Sequence, residues 1–141
     1  MTRALPMTNW GSERGMKIEH AAVYVRDLES AKDFFVHYFA ARAGQKYRNE
    51  TTQFESYFLS FAGGARLELM TRPELQKSAA QPAVGYAHIA FSVGSREEVD
   101  RLTAQLKADG CRLISGPRVT GDGYYESCVA GPEEICIELT I

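Results

Sequence analysis

The spacing of hydrophobic and polar positions changes period in the same order twice along this chain. Residues Lys17–Val25 alternate: Ile18, His20, Ala22 and Tyr24 face one way, and Glu19, Ala21, Val23 and Val25 the other. That two-residue period predicts a strand. Asp27 suits the N-cap of a helix from about Leu28 to Ala41, where Leu28, Ala31, Phe35, Tyr38 and Phe39 recur at helical spacing. Gly44 offers a stop, and a short strand is expected near Gln45–Tyr47. Phe54–Phe61 has strand length, Ala62-Gly63-Gly64-Ala65 reads as a hairpin turn, and Arg66–Met70 is the returning strand. Arg72–Val84, broken by Pro73 and Pro82, keeps no period and reads as a linker.

The order then starts again. Tyr86–Val93 is a strand, and Ser95 with Glu98 forms a capping box for a helix faced by Val99, Leu102 and Leu106 and ended by Gly110. Cys111–Ile114 is the next strand, and Gly116-Pro117 turns the chain. Tyr124–Ala130 and Ile135–Ile141 make a final hairpin around Gly131-Pro132-Glu133-Glu134. The prediction is an α+β domain over residues 17–141, built from two tandem modules (17–71 and 85–141) joined by a linker at 72–84. A flexible arm, residues 1–16, precedes it.

The repeat carries chemistry at matching places. Each module has one histidine near the start of its first strand, His20 and His88, and one glutamate in its last strand, Glu68 and Glu138. About fifty residues separate histidine from glutamate in both. Alternation puts Glu68 on a face with Arg66 and Met70, opposite Leu67 and Leu69. It puts Glu138 with Cys136 and Thr140, opposite Ile137 and Leu139. The apolar faces belong under helices, which leaves the His and Glu faces for a concave surface open to ligand. Two imidazoles and two carboxylates converging there suit one divalent first-row metal ion, zinc, nickel, cobalt or manganese, rather than a thiolate-preferring one. His37, inside the first helix beside Tyr38, has no counterpart in the second module and reads as structural.

Composition narrows the setting. A chain of 141 residues with 45% hydrophobic and 24% charged positions is an ordinary globular domain. A net charge of −2 gives no electrostatic reason for a nucleic-acid or anionic-membrane partner. No apolar run reaches the roughly 20 residues of a spanning helix, and Met1–Gly15 lacks the apolar core of a signal peptide, so a cytoplasmic protein is expected. Three cysteines without a CxxC pair suggest neither a disulfide framework nor a cysteine zinc site.

A βαβββ unit given twice, carried by Ile18-Glu19-His20, Arg66-Leu67-Glu68-Leu69, Gly85-Tyr86-Ala87-His88-Ile89-Ala90-Phe91 and Ile137-Glu138-Leu139, resembles the vicinal oxygen chelate superfamily. That superfamily includes glyoxalase I, methylmalonyl-CoA epimerase, extradiol dioxygenases and drug-resistance proteins. The resemblance implies a half-barrel-like concave sheet with helices outside, and a small-molecule substrate. It also implies a homodimer with sites at or near the interface, whose modules pair either within or between chains. The four-ligand His/Glu/His/Glu set is most similar to glyoxalase I, a lyase that isomerises its substrate through a metal-stabilised enediolate. By that similarity Glu138, or else Glu68, is the mobile base. Positions that serve glutathione in the usual glyoxalase I are Tyr24 and Arg72 here, so glutathione dependence is not implied. Tyr24 and Arg72 are expected to meet the rest of the substrate, and Tyr124 or Tyr125, after Gly121-Asp122-Gly123, to close over it. The alternatives are a non-catalytic ligand- or drug-binding protein of the same fold, or an epimerase or dioxygenase.

Overall fold

The computed structural model describes residues 16–77 and 84–141. Most of the expected N-terminal arm and the middle of the linker lie outside the described residues. The first module runs β1 (His20–Tyr24), α1 (Leu28–Phe39), β2 (Arg42–Ala43), β3 (Tyr47–Arg48), β4 (Glu55–Ser60) and β5 (Arg66–Thr71). The second runs β6 (Ile89–Ser92), α2 (Arg96–Ala108), β7 (Arg112–Val119), β8 (Tyr125–Ala130), a 3-10 turn (Pro132–Glu134) and β9 (Cys136–Thr140). Each module forms its own mixed sheet, ordered β1-β5-β4-β2, with β3 also on β4, and β6-β9-β8-β7. In both, the first and last strands are parallel neighbours and the remaining pairs antiparallel. The two sheets form no closed barrel.

Helix ends follow local chemistry. The Asp27 carboxylate accepts the Ser30 N–H at 3.0 Å and Ser95 Oγ accepts the Glu98 N–H at 3.2 Å, so both predicted N-caps form. α1 stops earlier than the expected Ala41. Ala40 takes a left-handed φ of 52°, and the Ala41 N–H returns to the Phe35 carbonyl at 3.2 Å. Stopping there buries Ala41 and lets Arg42–Ala43 pair with β4, gains that outweigh the absence of a glycine. The turn expected at Gly116-Pro117 is also absent, because β7 continues through it with a register irregularity. Gly116 has φ +79°, and a Cβ there would stand 2.5 Å from the Glu126 carbonyl oxygen, so the close approach of β8 admits no side chain.

Each helix covers one face of its sheet. Leu59, Leu67 and Leu69 bury against Phe35 and Ala31, while Val129, Ile137 and Leu139 bury against Val99, Leu102 and Leu106. Each of the larger side chains contributes roughly 1.5–3 kcal/mol by leaving water. The buried hydroxyls of Thr103 and Ser127 satisfy one another at 2.6 Å, tying α2 to β8.

Ring packing and hydrogen bonds join the modules. Phe91 of β6 packs against Phe39, Phe61 and Phe35 of the first module, with centroids 4.2, 5.3 and 6.1 Å away. The Glu133 carboxylate crosses to the start of α1, accepting the Arg26 N–H at 2.8 and 2.7 Å and the Asp27 N–H at 3.1 Å. Glu133 holds a left-handed φ of 51° to do so. The Tyr38 hydroxyl donates to Asp109 at the end of α2 at 2.7 Å.

That last bond gives a pH signature. The Asp109 hydrogen bond, with some help from burial, pushes the Tyr38 phenol up to about 12. The folded chain keeps a proton that the unfolded chain loses near pH 10, so the bond's stabilisation is present below pH 10 and fades as pH rises towards 12. Tyr38 remains in contact with solvent, so the effect should be only about 1 kcal/mol. Wild type is expected to exceed Tyr38→Phe in denaturant midpoint at pH 8 and to converge with it by pH 12. A gap that persists at high pH would refute the linkage.

Candidate metal centre

Strand register decides what shares a face with the four candidate ligands. His20 lies opposite Arg66, and Ala22 and Phe58 lie opposite Glu68 on either side. In the second sheet Ala90 and Cys128 flank Glu138. Both glutamates therefore stand on the sheet face away from the helices, as alternation predicts. The structure gathers the candidates as two pairs. His20 Nε2 is 3.9 Å from a Glu68 oxygen, and His88 Nε2 is 3.3 Å from a Glu138 oxygen. The histidines are about two-fifths exposed and the glutamates 15% and 20%.

The donors fit a divalent ion. Nitrogen and oxygen ligands each about 2.1 Å from one cation, at right angles, stand about 3 Å apart. Both pairs are near that separation and need only small side-chain rotations. On the second face burial first, and then the neighbouring Cys136 thiol, push Cys128 up to about 12. All three cysteines are free. Among the described residues, however, no group of three or more His, Cys, Asp or Glu side chains is arranged to hold a metal ion. One chain thus presents two His–Glu pairs, where the sequence leads one to expect four converging ligands.

The pairs differ in their support. His20 Nδ1 makes a short contact with the Glu19 carboxylate, and Glu19 in turn binds Arg66 Nε at 2.7 Å. These two partners, His20 first, hold the Glu19 carboxyl below its usual range. Phe58 meets the His20 ring edge-on at 5.3 Å, and the Arg66 guanidinium lies 4.2 Å above Phe58. A proton held at Nδ1 leaves the Nε2 lone pair facing Glu68, the orientation a metal ligand requires. Alternation had assigned Glu19 to the opposite face. Its carbonyl still accepts the Arg66 N–H at 2.8 Å, but β1 begins only at His20 and the side chain turns to the His20 side. The matching position in the second module is Ala87, which offers His88 no carboxylate.

The other candidates separate. Tyr24 first, and then the paired Glu74 carboxylate, raise the Arg72 pKa. A crevice of about 440 Å³ between the modules is walled by Tyr24 from one and by Tyr86, His88 and Cys136 from the other. The larger cavity, about 590 Å³ beside Phe39, Phe61 and Phe91, touches none of the four ligands. Tyr124 is exposed in the turn before β8. Tyr125 requires a correction: its hydroxyl donates to Asp100 of α2 and its ring lies under Arg96, 4.7 Å away. Odd positions of β8 face the helix, so Tyr125 is not on the ligand face.

Comparison with known proteins now places the chain. The family model described as Glyoxalase/Bleomycin resistance protein/Dioxygenase superfamily matches residues 17–139. The chain belongs to that superfamily. The uncharacterized protein YqjT of Bacillus subtilis is 29% identical over 128 residues, covering 86% of this chain and 96% of its own. A structure described as a possible glyoxalase from Bacillus cereus is 25% identical with a TM-score of 0.68, over 90% of this chain and all of that one. Lactoylglutathione lyase from Agrobacterium tumefaciens shares the fold, with a TM-score of 0.65 at 21% identity over 89% of this chain and 93% of its own. No helix among the described residues is long and apolar enough to cross a membrane.

The Glu19 contact yields a direct check. Removing the carboxylate in Glu19→Ala should release the Nδ1 proton and change the imidazole ¹⁵N shifts of His20, leaving those of His88 in place. Unchanged His20 shifts would mean that Glu19 does not set the tautomer.

Proposed function

We propose that the chain is a metal-dependent lyase or isomerase of the glyoxalase type, moving a proton between adjacent carbons of a small oxygen-chelating substrate. The observation that carries this reading is the His–Glu pair repeated on the open face of both modules, at 3.9 and 3.3 Å. Each pair supplies half of a ligand set, so the active form is a homodimer in which the His20–Glu68 pair of one copy meets the His88–Glu138 pair of its partner. A bound zinc, nickel, cobalt or manganese ion would supply Lewis-acid stabilisation of the charge that develops on substrate oxygen.

The chain's own residues do the rest. Glu138 takes the proton from one substrate carbon and returns it to the next, with Glu68 the other candidate for that base. Glu19 acts through His20, holding the imidazole in the binding tautomer. Tyr24 and Arg72 contact the remainder of the substrate, and exposed Tyr124, in the turn before β8, closes over it. Arginine at position 72 and tyrosine at position 24 differ from the glutathione-binding pattern, which supports another thiol or none. A second reading, a non-catalytic binding protein working through the 440 Å³ crevice, is favoured by the absence of a complete ligand set among the described residues of one chain. The cellular setting in this reading is the cytoplasm.

Metal content separates the two. Protein purified without chelator should carry about one divalent ion per chain and sediment as a dimer, whereas the His20→Ala/His88→Ala protein should lose the ion and stay folded. Full metal in the double variant would falsify the site. Glu138→Gln should retain most of the metal while proton transfer falls by roughly 100-fold or more, the scale of a lost general base. A wild-type rate of substrate deuterium exchange in that variant would exclude Glu138 as the base.

A further inference from the structure

A second feature lies at the carboxyl ends of β1 and β5. These strands are parallel, so the residues that follow them, Arg26 and Arg72, emerge at one end of the first sheet. There they line a cavity of about 370 Å³ together with Arg48, Gln53, Glu55 and Thr71. Arg48 and Thr71 both stand opposite Glu55 in the strand register, which places them on the helix side of the sheet. The cavity is therefore outside the His–Glu face. Arg72 directly follows β5, the strand that carries Glu68.

The charges around it are unevenly answered. Glu55 is engaged by Lys46 at 2.6 Å. Among the described residues Arg48 has only a 3.8 Å contact with Glu50, whose side chain is 86% exposed. Arg72 pairs with exposed Glu74. The Arg26 side chain makes no ion pair among the described residues, and the Glu133 carboxylate beside it is occupied with the Arg26 and Asp27 peptide N–H groups. Exposed pairs of this kind contribute at most about 1 kcal/mol and yield readily to a better partner. Three guanidiniums lining one small cavity repel one another unless an anion lies between them, and their planar forks match carboxylate and phosphate oxygens. Gln53, held at a left-handed φ of 61° by its N–H bond to the Asn49 carbonyl at 2.8 Å, adds an amide to the wall. Left-handed non-glycine residues cost energy and are concentrated at ligand clamps.

We infer that Arg26, Arg48 and Arg72 form a binding site for an oxyanion group, a phosphate or a carboxylate. The site stands independently of the metal reading. Through Arg72 it can hold either the acidic end of a substrate whose other end reaches Tyr24 or a separate small anion.

The test uses metal-free full-length protein, titrated with inorganic phosphate and with malonate at constant ionic strength set by sodium chloride. Saturable binding by calorimetry and a rise in Tm are expected with at least one of them, and the tighter probe identifies the class of group. Arg26→Gln/Arg48→Gln should weaken that binding by at least tenfold, and Arg48→Lys, which keeps the charge but loses the fork, by less. All three positions are exposed, so the anion-free Tm should stay near wild type. Failure of both probes to bind beyond the chloride control, or equal binding by the double variant, would overturn the site. Either result leaves metal content untouched, so this inference and the proposed isomerase activity fail separately.

Discussion

The structure depends on how the two modules are seated against each other. Phe91 reaches out of the second sheet into the ring cluster of Phe35, Phe39 and Phe61, and Glu133 crosses the same seam to the peptide N–H groups that open α1. The aromatic contact supplies apolar burial without strict orientation. The carboxylate on the amides supplies direction, because a charged acceptor on peptide donors tolerates little rotation. Together they fix each module's ligand face relative to the other. The His20–Glu68 and His88–Glu138 pairs consequently remain two pairs.

Duplication explains why each pair forms so reliably. In each module the first and last strands are parallel neighbours, so a histidine entering the first stands beside a glutamate midway along the last. Period-two alternation then sends leucine and isoleucine under the helix and the glutamate to the open side. The same local rule acting twice yields two similar pairs without any long-range adjustment. Divergence appears in what surrounds them. The first has Glu19, Arg66 and Phe58 holding its imidazole, while the second has Cys128 beside its glutamate and a crevice along its histidine. The first pair is thus firmly oriented by its neighbours, and the second has more freedom.

Much of this was legible in the chain itself. Hydrophobic period, capping residues and turn glycines determined the α+β repeat, both helix starts, and the face on which Glu68 and Glu138 stand, because each is set by interactions within a few residues. Features that needed the tertiary structure involve partners far apart in sequence. Ala40 ends α1 because Ala41 must be buried and Arg42 must reach β4. Gly116 marks a close strand approach, not a turn, because β8 lies against it. Tyr125 serves α2 because Asp100 and Arg96 wait there. Glu19 swings to His20 because Arg66, nearly fifty residues later, holds it from the other side. The division of four ligands into two pairs is of the same kind: alternation assigns a face, but only the packing of Phe91 and Glu133 across the seam decides where that face looks.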